Sequence, residues 1–476
     1  MECGSSPAKP ASWQAAGLSG FVWPYAKAIV KQSELPSPLP TGLLRVLGVG
    51  FGLAVIVGNT IGAGILRAPG DVAARLPSTW AFLLVWVIGG FYALLGANAL
   101  AELGTMIPRS GGQYVFSHRA FGPFAGFIVG WSDWLSTCGS TAAVALVIGE
   151  YSRALFPAVR GAEGVIAGSV VLAFAFMQSK GIREGSAIQL WTSLLKAIAF
   201  IFLILACFLL GGGTAGREVS TIATPSLALA GWIIALQGVI YTYDGWSGVI
   251  YFSEEVTEPG QDIPRSIFGG VLTVTAIYLL LNVAFLYVVP LTALAGQSLA
   301  AGVVAERLFG PFGEPILSVL TIVSLLSAVN AFQLMAPRVL LAMSADGLVT
   351  RRALQVNAGG TPVIALWAST AIAILYIFSG NFGDVVAVLS FFFVANYALS
   401  FSALFLLRRK EPDLARPFRA KGHPWTTGAA LIASVAFLIG SIVSDPRNGA
   451  IAVALLVISY PIFRYFREPD KTKKSF

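Results

Sequence analysis

The chain has 476 residues, of which 56% are hydrophobic and only 11% charged, with a formal net charge of +8. A water-soluble domain of ordinary proportions carries about 25% charged residues, and it could not bury this much apolar surface in one core, so lipid has to act as the solvent. The positive balance does not mark a nucleic-acid binder, because the basic residues sort by side of a membrane instead of gathering in one patch.

From the N-terminus, the first forty-odd residues carry Lys9, Lys27 and several prolines. They lack a long apolar core followed by a small-residue cleavage site, so they read as a cytoplasmic tail over 1–42 and not as a cleavable signal. Within it, Gly20 to Val30 fits a short surface helix and a disordered stretch equally well. Beyond the tail, run length decides, since a helix needs about 20 mainly apolar residues to cross a hydrocarbon layer of roughly 30 Å. Twelve runs follow, at Val46 to Leu66, Trp80 to Met106, Phe124 to Ile148, Val165 to Met177, Ile188 to Leu210 and Leu227 to Phe252, then Ile267 to Val289, Ile316 to Ala336, Val363 to Phe378, Val385 to Leu407, Ala429 to Val443 and Ala450 to Phe463. The fourth, ninth, eleventh and twelfth are short for a full span. With both termini on one face, that face collects 23 of the 31 lysines and arginines, the other collects 7, and Lys196 lies inside a span. This positive-inside pattern places both termini in the cytoplasm. Its densest cluster, Arg408, Arg409, Lys410, Arg416, Arg419 and Lys421, reads as a topology anchor with some attraction to anionic lipid.

Several classes of function find no support. Cys3 lies in the tail and Cys138 and Cys207 in spans, so no disulfide is implied. His118 and His423 sit in different loops, which gives no metal cluster. There is neither a glycine-lysine phosphate loop nor a G-x-S-x-G turn. No enzyme, ATP-driven pump, cofactor or metal is expected.

Two spans are interrupted. The first reads Gly58-Asn59-Thr60-Ile61-Gly62-Ala63-Gly64-Ile65-Leu66, and the sixth reads Tyr241-Thr242-Tyr243-Asp244-Gly245-Trp246-Ser247-Gly248. Glycine weakens a helix by roughly 1 kcal/mol relative to alanine, so each cluster marks a place where the helix could open. Small residues also let neighbouring helices approach closely, and either cluster alone fits that role as well. The pair says more. Five spans separate the two, so they run in opposite directions, and interrupted helices at corresponding positions of inverted halves point to a carrier's midplane site. Residues 43–211 and 226–410 therefore read as two inverted repeats of five spans, with two more helices over 424–466 completing a membrane domain at 43–466, and 467–476 as a cytoplasmic tail.

An unwound backbone persists in a bilayer only where it lines a cavity or is buried in protein. At the first break, N–H groups around Gly62, Ala63 and Gly64 begin the outer half-helix and suit a carboxylate. Carbonyls near Thr60 and Ile61, with those near Tyr241 and Thr242 in the sixth span, suit an ammonium. Opposite polarities at short separation match a zwitterionic α-amino acid. Asp244 fits three roles: contact with the substrate amine, carriage of a coupled proton, or a pairing inside the bundle. Tyr241, one turn before Gly245, is placed either to cover the site or simply to pack. Lys196 lies about 12 Å beyond Ile188 along its helix, close to the midplane. It either snorkels back to the surface or stands as a fixed ammonium that props the broken first helix. Asp133, between Trp131 and Trp134, reads as a paired interior residue. Glu102 fits both an inner gate with a loop arginine and an ordinary interfacial position.

At these residues the chain resembles the amino acid–polyamine–organocation superfamily, over nearly its whole length after Leu43. The resemblance rests on Ile61-Gly62-Ala63-Gly64-Ile65, on Ala101-Glu102-Leu103-Gly104-Thr105-Met106-Ile107-Pro108-Arg109-Ser110-Gly111-Gly112, and on Tyr243-Asp244-Gly245-Trp246 followed by Glu254-Glu255 and Asp262-Ile263-Pro264-Arg265. The last two are most similar to the L-type amino acid transporter branch and its bacterial relatives. The resemblance implies an all-α membrane protein of twelve transmembrane helices, with the leucine-transporter-type five-plus-five inverted repeat and helices 1 and 6 broken. It also implies that Gly62, Ala63 and Gly64 bind the substrate carboxylate, that Ile61 and Tyr241 contact the amine, and that Lys196 matches a lysine of Na⁺-independent members. Two departures stand out: Ala63 replaces a frequent serine, and Asp244 stands where eukaryotic relatives often have glycine, which would favour a cationic or amine-bearing substrate. Some members pair with a single-span glycoprotein through an extracellular cysteine, and the predicted outer loops hold none, so no such obligatory partner is expected.

The expected function is Na⁺-independent exchange of amino acids by alternating access at the plasma membrane (the inner membrane of a bacterial cell), with the amino acid and the lipid bilayer as the only partners. A proton-coupled amino acid or polyamine symporter is the alternative on the same fold. A non-transporting amino acid sensor is the alternative of another class, and a channel is disfavoured by the absence of a repeated filter sequence.

Overall fold

The computed structural model describes residues 42–76, 78–212, 228–379, 382–444 and 446–467. The expectations for the tail before residue 42 and for the residues after 467 lie outside the described residues. Sixteen α-helices are assigned: α1 (Val49–Thr60), α2 (Ala63–Arg75), α3 (Thr79–Met106), α4 (Gln113–Phe121), α5 (Pro123–Leu155), α6 (Glu163–Gln178), α7 (Ile182–Leu210), α8 (Ala228–Tyr243), α9 (Pro259–Val288), α10 (Leu291–Leu294), α11 (Ala300–Phe309), α12 (Gly313–Ala345), α13 (Val363–Phe378), α14 (Phe382–Lys410), α15 (Trp425–Ser444) and α16 (Pro446–Arg467). Among the described residues there is no named strand, only two isolated bridges. Among the described residues, seven helices, α11 and α12 counting together as one, are long and apolar enough to cross a membrane, and α1 with α2 makes an eighth if the bent pair counts as one span. The four remaining runs fold as α5, α6, α8 and α13. Of these, α6 and α13 have 16 residues each, short of the length a bilayer asks of an untilted helix.

The pattern along α7 shows why lipid is the solvent. Gln189, Ser193, Lys196, Phe200, Leu203 and Cys207 are buried, while Trp191, Leu194, Leu195, Ile198, Ile201, Phe202, Leu205 and Leu209 are exposed. Both sets recur every three to four residues, so each occupies one helical face. The polar side chains point in and the apolar ones out, the reverse of a helix on a water-soluble domain.

At the centre, α5 packs against α12, α6, α13 and α14, while α1 packs against α9, α7 and α12. α15 and α16 lie outside, against α14, α3 and α5. One end of the bundle is tied by polar contacts. The strand-like start of α1 pairs with the segment after the sixth apolar run, through Leu47 N–H to Glu255 O at 2.9 Å and Thr257 N–H to Leu47 O at 2.8 Å. Gly112, at a φ of +67°, turns the chain so closely against Tyr251 that an added Cβ would lie 2.5 Å from the ring. The Ser110-Gly111-Gly112 motif therefore serves backbone approach, and Ser110 Oγ accepts from Glu254 N–H at 3.2 Å.

Three carboxylates hold this end. Glu255, fully buried, meets Arg338 in a two-pronged pair at 2.7–3.0 Å, with the guanidinium 4.4 Å from the centroid of Phe252. Glu102, also fully buried, accepts from Arg408 at 2.9 and 2.5 Å and from Ala420 N–H at 2.6 Å, and lies 3.3 Å from Arg416. Asp346 accepts from Tyr114 at 2.6 Å and pairs with Arg109 at 3.0 Å. His118 lies 3.8 Å from Asp346, and burial holds its pKa below the ordinary value against the pull of that carboxylate. Within the 408–421 cluster expected to act as a topology anchor, Arg409, Arg419 and Lys421 are exposed while two members have inward partners. Arg408 and Arg416 turn inward because a buried carboxylate without a counter-charge would be far costlier than two desolvated guanidiniums sharing it, and Lys410 donates to Ala120 O at 3.2 Å.

Removing one member of the fully buried pair leaves the other uncompensated. Arg338→Met should cost on the order of 3–5 kcal/mol, read as a lower thermal midpoint of the purified protein. Adding Glu255→Gln should recover most of the loss, and an unchanged midpoint in the single variant would contradict this account.

Candidate functional site

α1 ends at Thr60 and α2 begins at Ala63, with a 46° bend between them. Ile61 and Gly62 are extended, and no side chain caps the N-terminus of α2. The last turn of α1 leaves carbonyls without intrahelical partners. Lys196, fully buried, donates to Gly58 O at 2.6 Å and to Ile61 O at 2.5 Å. A cation is the favoured partner there, at the negative end of a helix dipole. Ser324 Oγ on α12 adds a second donor to Ile61 O at 3.2 Å.

The second break begins where α8 ends at Tyr243, and a 3₁₀ segment over Gly248–Phe252 follows it. Gly245 takes a φ of +109°, and an added Cβ there would lie 2.9 Å from Asn59 Nδ2 and 3.0 Å from Thr60 N. Gly245 therefore serves both the turn and the approach of the two breaks. Gly64, within α2, allows the approach on the other side, where a Cβ would come within 3.3 Å of Thr242 Cγ2. A single hydroxyl joins the breaks: Tyr278 Oη on α9 lies 2.8 Å from Thr60 O and 3.0 Å from Thr242 O.

Between the breaks lies a cavity of about 340 Å³. Of the nine substrate-site positions expected from sequence, Thr60, Gly62, Ala63, Gly64, Tyr241, Thr242 and Asp244 line it. Ile61 and Gly245 do not: both are buried behind it. A carbonyl oxygen has two lone pairs, so the Ile61 carbonyl, with Lys196 and Ser324 on it, has none to spare for a ligand amine. The carbonyls of Thr60 and Thr242 each keep one. Tyr241 is 41% exposed and lines the cavity without closing it. Asp244 accepts from Tyr397 at 2.7 Å, and that ring stacks 4.9 Å from Trp246. Lys196 stands behind the first break and does not line the cavity. Asp133 does not line it either, and is buried and accepts from Tyr251 at 2.7 Å. Among the described residues, no group of histidine, cysteine and acidic side chains could hold a metal ion.

Sequence reasoning missed Tyr278, Ser324, Tyr397 and Asn59. The first three lie within apolar runs far along the chain, and nothing local separates a bonding hydroxyl from a packing one. Asn59 lay inside the quoted motif, and its carboxamide reaches Gly245 O at 3.5 Å.

A lipid-facing helical bundle with a cavity between two broken helices has the architecture of a membrane carrier. The comparisons with known proteins agree. The family model described as "Amino acid permease" matches residues 47–462, and the chain belongs to that family of transporters, which are not enzymes. It is similar to the serine/threonine exchanger SteT of Bacillus subtilis (strain 168), 27% identical over 89% of this chain and 97% of the relative. The b(0,+)-type amino acid transporter 1 of Mus musculus is 28% identical over 90% of this chain and 88% of its own length. The human cystine/glutamate transporter is 27% identical, over 93% and 89% respectively.

Tyr278→Phe deletes the one donor shared by both breaks and leaves two buried carbonyls a partner short, a loss of about 1–3 kcal/mol. The expected result is a lower thermal midpoint together with slower amino acid uptake into reconstituted vesicles. Wild-type behaviour in both assays would show that the bridge is dispensable.

Proposed function

We propose that the protein exchanges amino acids across the plasma membrane by alternating access without Na⁺, with both termini cytoplasmic. Twelve spans carry this reading. Residues 43–211 and 226–410 are two inverted five-helix repeats within a membrane domain at 43–466, and 424–466 supplies the two helices outside them. The observation that carries it most is that the uncapped start of α2 and the carbonyls of Thr60 and Thr242 line one cavity of about 340 Å³. The N–H groups of Gly62, Ala63 and Gly64 receive the substrate carboxylate at the positive end of the α2 dipole. The remaining lone pairs on Thr60 and Thr242 receive the ammonium, and Tyr241 shields them.

Lys196 carries the sodium independence of this proposal. Its ammonium holds Gly58 O and Ile61 O at 2.6 and 2.5 Å, carbonyls that would otherwise be available to a hard cation. The cavity is lined on one side by Arg67 and Asp71 of α2. The clamps at Glu255, Glu102 and Asp346 close the end where α1 begins, so the arrangement is outward-facing. Turnover then requires those clamps to release as the outer half-helices close. SteT and the b(0,+)-type relative are named as exchanger and amino acid transporter, which supports exchange here. No obligatory glycoprotein partner enters the proposal.

The test is uptake into vesicles loaded with or without unlabelled amino acid. Exchange requires internal substrate and ignores an imposed pH gradient. Uptake that needs the gradient and no internal substrate would favour proton symport, and saturable binding without flux would favour a sensor. Lys196→Ala should reduce transport strongly, because two buried carbonyls lose a charged donor worth about 1.5–3 kcal/mol. Unchanged transport and ion dependence in that variant would refute its role.

Asp244 places a carboxylate on the cavity wall, which suits a cationic or amine-bearing side chain. Asp244→Asn should therefore lower uptake of lysine and arginine about tenfold relative to a neutral amino acid, as the loss of one charge-assisted contact requires. Equal effects on both classes would remove Asp244 from side-chain selection.

A further inference from the structure

A second cavity, of about 380 Å³, lies between the end of α5, α11 and the start of α12. Its wall includes Glu306, Glu314, Tyr151, Ser318, Leu299 and Leu317. None of these belongs to the candidate site, and the proposal below does not rest on the transport reading.

The polar groups share one need. Glu306 and Glu314 are exposed carboxylates that form no ion pair or hydrogen bond among the described residues. Ser318 is 1% exposed and Tyr151 8% exposed, and neither hydroxyl has a hydrogen-bond partner among the described residues. Ser132 and Ser152 on α5 bond back to their own helix, whereas Ser318 makes no such bond among the described residues. Two carboxylates and two buried hydroxyls thus surround a space that also has apolar walls. A bare metal ion is a poor match, because calcium requires six to eight oxygens at about 2.3–2.6 Å and this space is many times larger. An anion is repelled. An apolar guest would leave the hydroxyls of Ser318 and Tyr151 without partners.

We infer that this cavity binds a small organic cation, an ammonium or guanidinium on an aliphatic stem. The charged head lies between Glu306 and Glu314 with the hydroxyls of Ser318 and Tyr151 as further acceptors, and the stem lies against Leu299 and Leu317. The site also adjoins the central cavity. Arg67, which lines that cavity, is 3.5 Å from Glu150 and 6.0 Å from the centroid of the Tyr151 ring. An occupant touching Tyr151 therefore lies one side chain away from the residue at the mouth of the central cavity.

The experiment is calorimetric titration of the full-length protein in lipid nanodiscs with n-butylguanidinium, and with n-butanol as the uncharged control. Saturable binding of the cation alone is expected, weakened about tenfold or more by Glu306→Gln with Glu314→Gln and weakened less by Asp244→Asn. Both glutamates are exposed, so the double variant should keep the wild-type thermal midpoint. Ser318→Ala, which deletes a buried acceptor without removing charge, should weaken binding less. Absence of saturable binding to the wild-type protein, equal binding of the alcohol, or binding lost in Asp244→Asn and retained in the double glutamine variant would each overturn the assignment. Binding is read without flux, so it stands or falls separately from exchange.

Discussion

Opening a helix inside a bilayer exposes peptide groups that lipid cannot satisfy, at several kcal/mol for each one left bare. Every feature of the central site answers that constraint. The α1 break presents carbonyls at Gly58, Thr60 and Ile61, and the protein answers with an ammonium from α7, a phenol from α9 and a serine from α12. The N–H groups opening α2 receive no such answer from any side chain cap. The asymmetry matters chemically. The protein satisfies most of the acceptors and leaves the donors facing the cavity, so the end of the site that most needs a ligand is the one that takes an anion.

The same constraint orders the closed end of the bundle. Glu255, Glu102 and Asp346 sit on three different segments, and each is met by a guanidinium from elsewhere in the chain. Such pairs add little net stability, because desolvation offsets attraction. Their value is specificity: each holds one segment against another in a single arrangement that a conformational change can exchange for a different one. The backbone pairing of Leu47 with the 255–257 segment adds the first apolar run to this group. The two broken runs are thus joined at their breaks, by Tyr278 and Asn59, and at this end by main-chain bonds.

Much of the architecture was legible in residue order. The apolar runs fall on helices among the described residues, seven or eight of them long and apolar enough to span, since run length follows from local sequence. The glycines at 62, 64 and 245 marked the breaks, because a missing Cβ is a local fact with a local consequence. Seven of the nine expected site positions line the cavity for the same reason. Ile61 lies outside the cavity lining with Lys196 and Ser324 on its carbonyl, and no local pattern could reveal those donors.

Sequence alone determined the solvent of this protein and the two points at which helices come apart. These depend on hydrophobicity, spacing and backbone freedom over a few residues. Tertiary structure decided which partners those points acquire. Tyr278 reaches Thr60 across 218 positions and Arg408 reaches Glu102 across 306. Hydrogen bonds and ion pairs of that reach are made only when helices pack, so the chain order holds the groups but not the pairing.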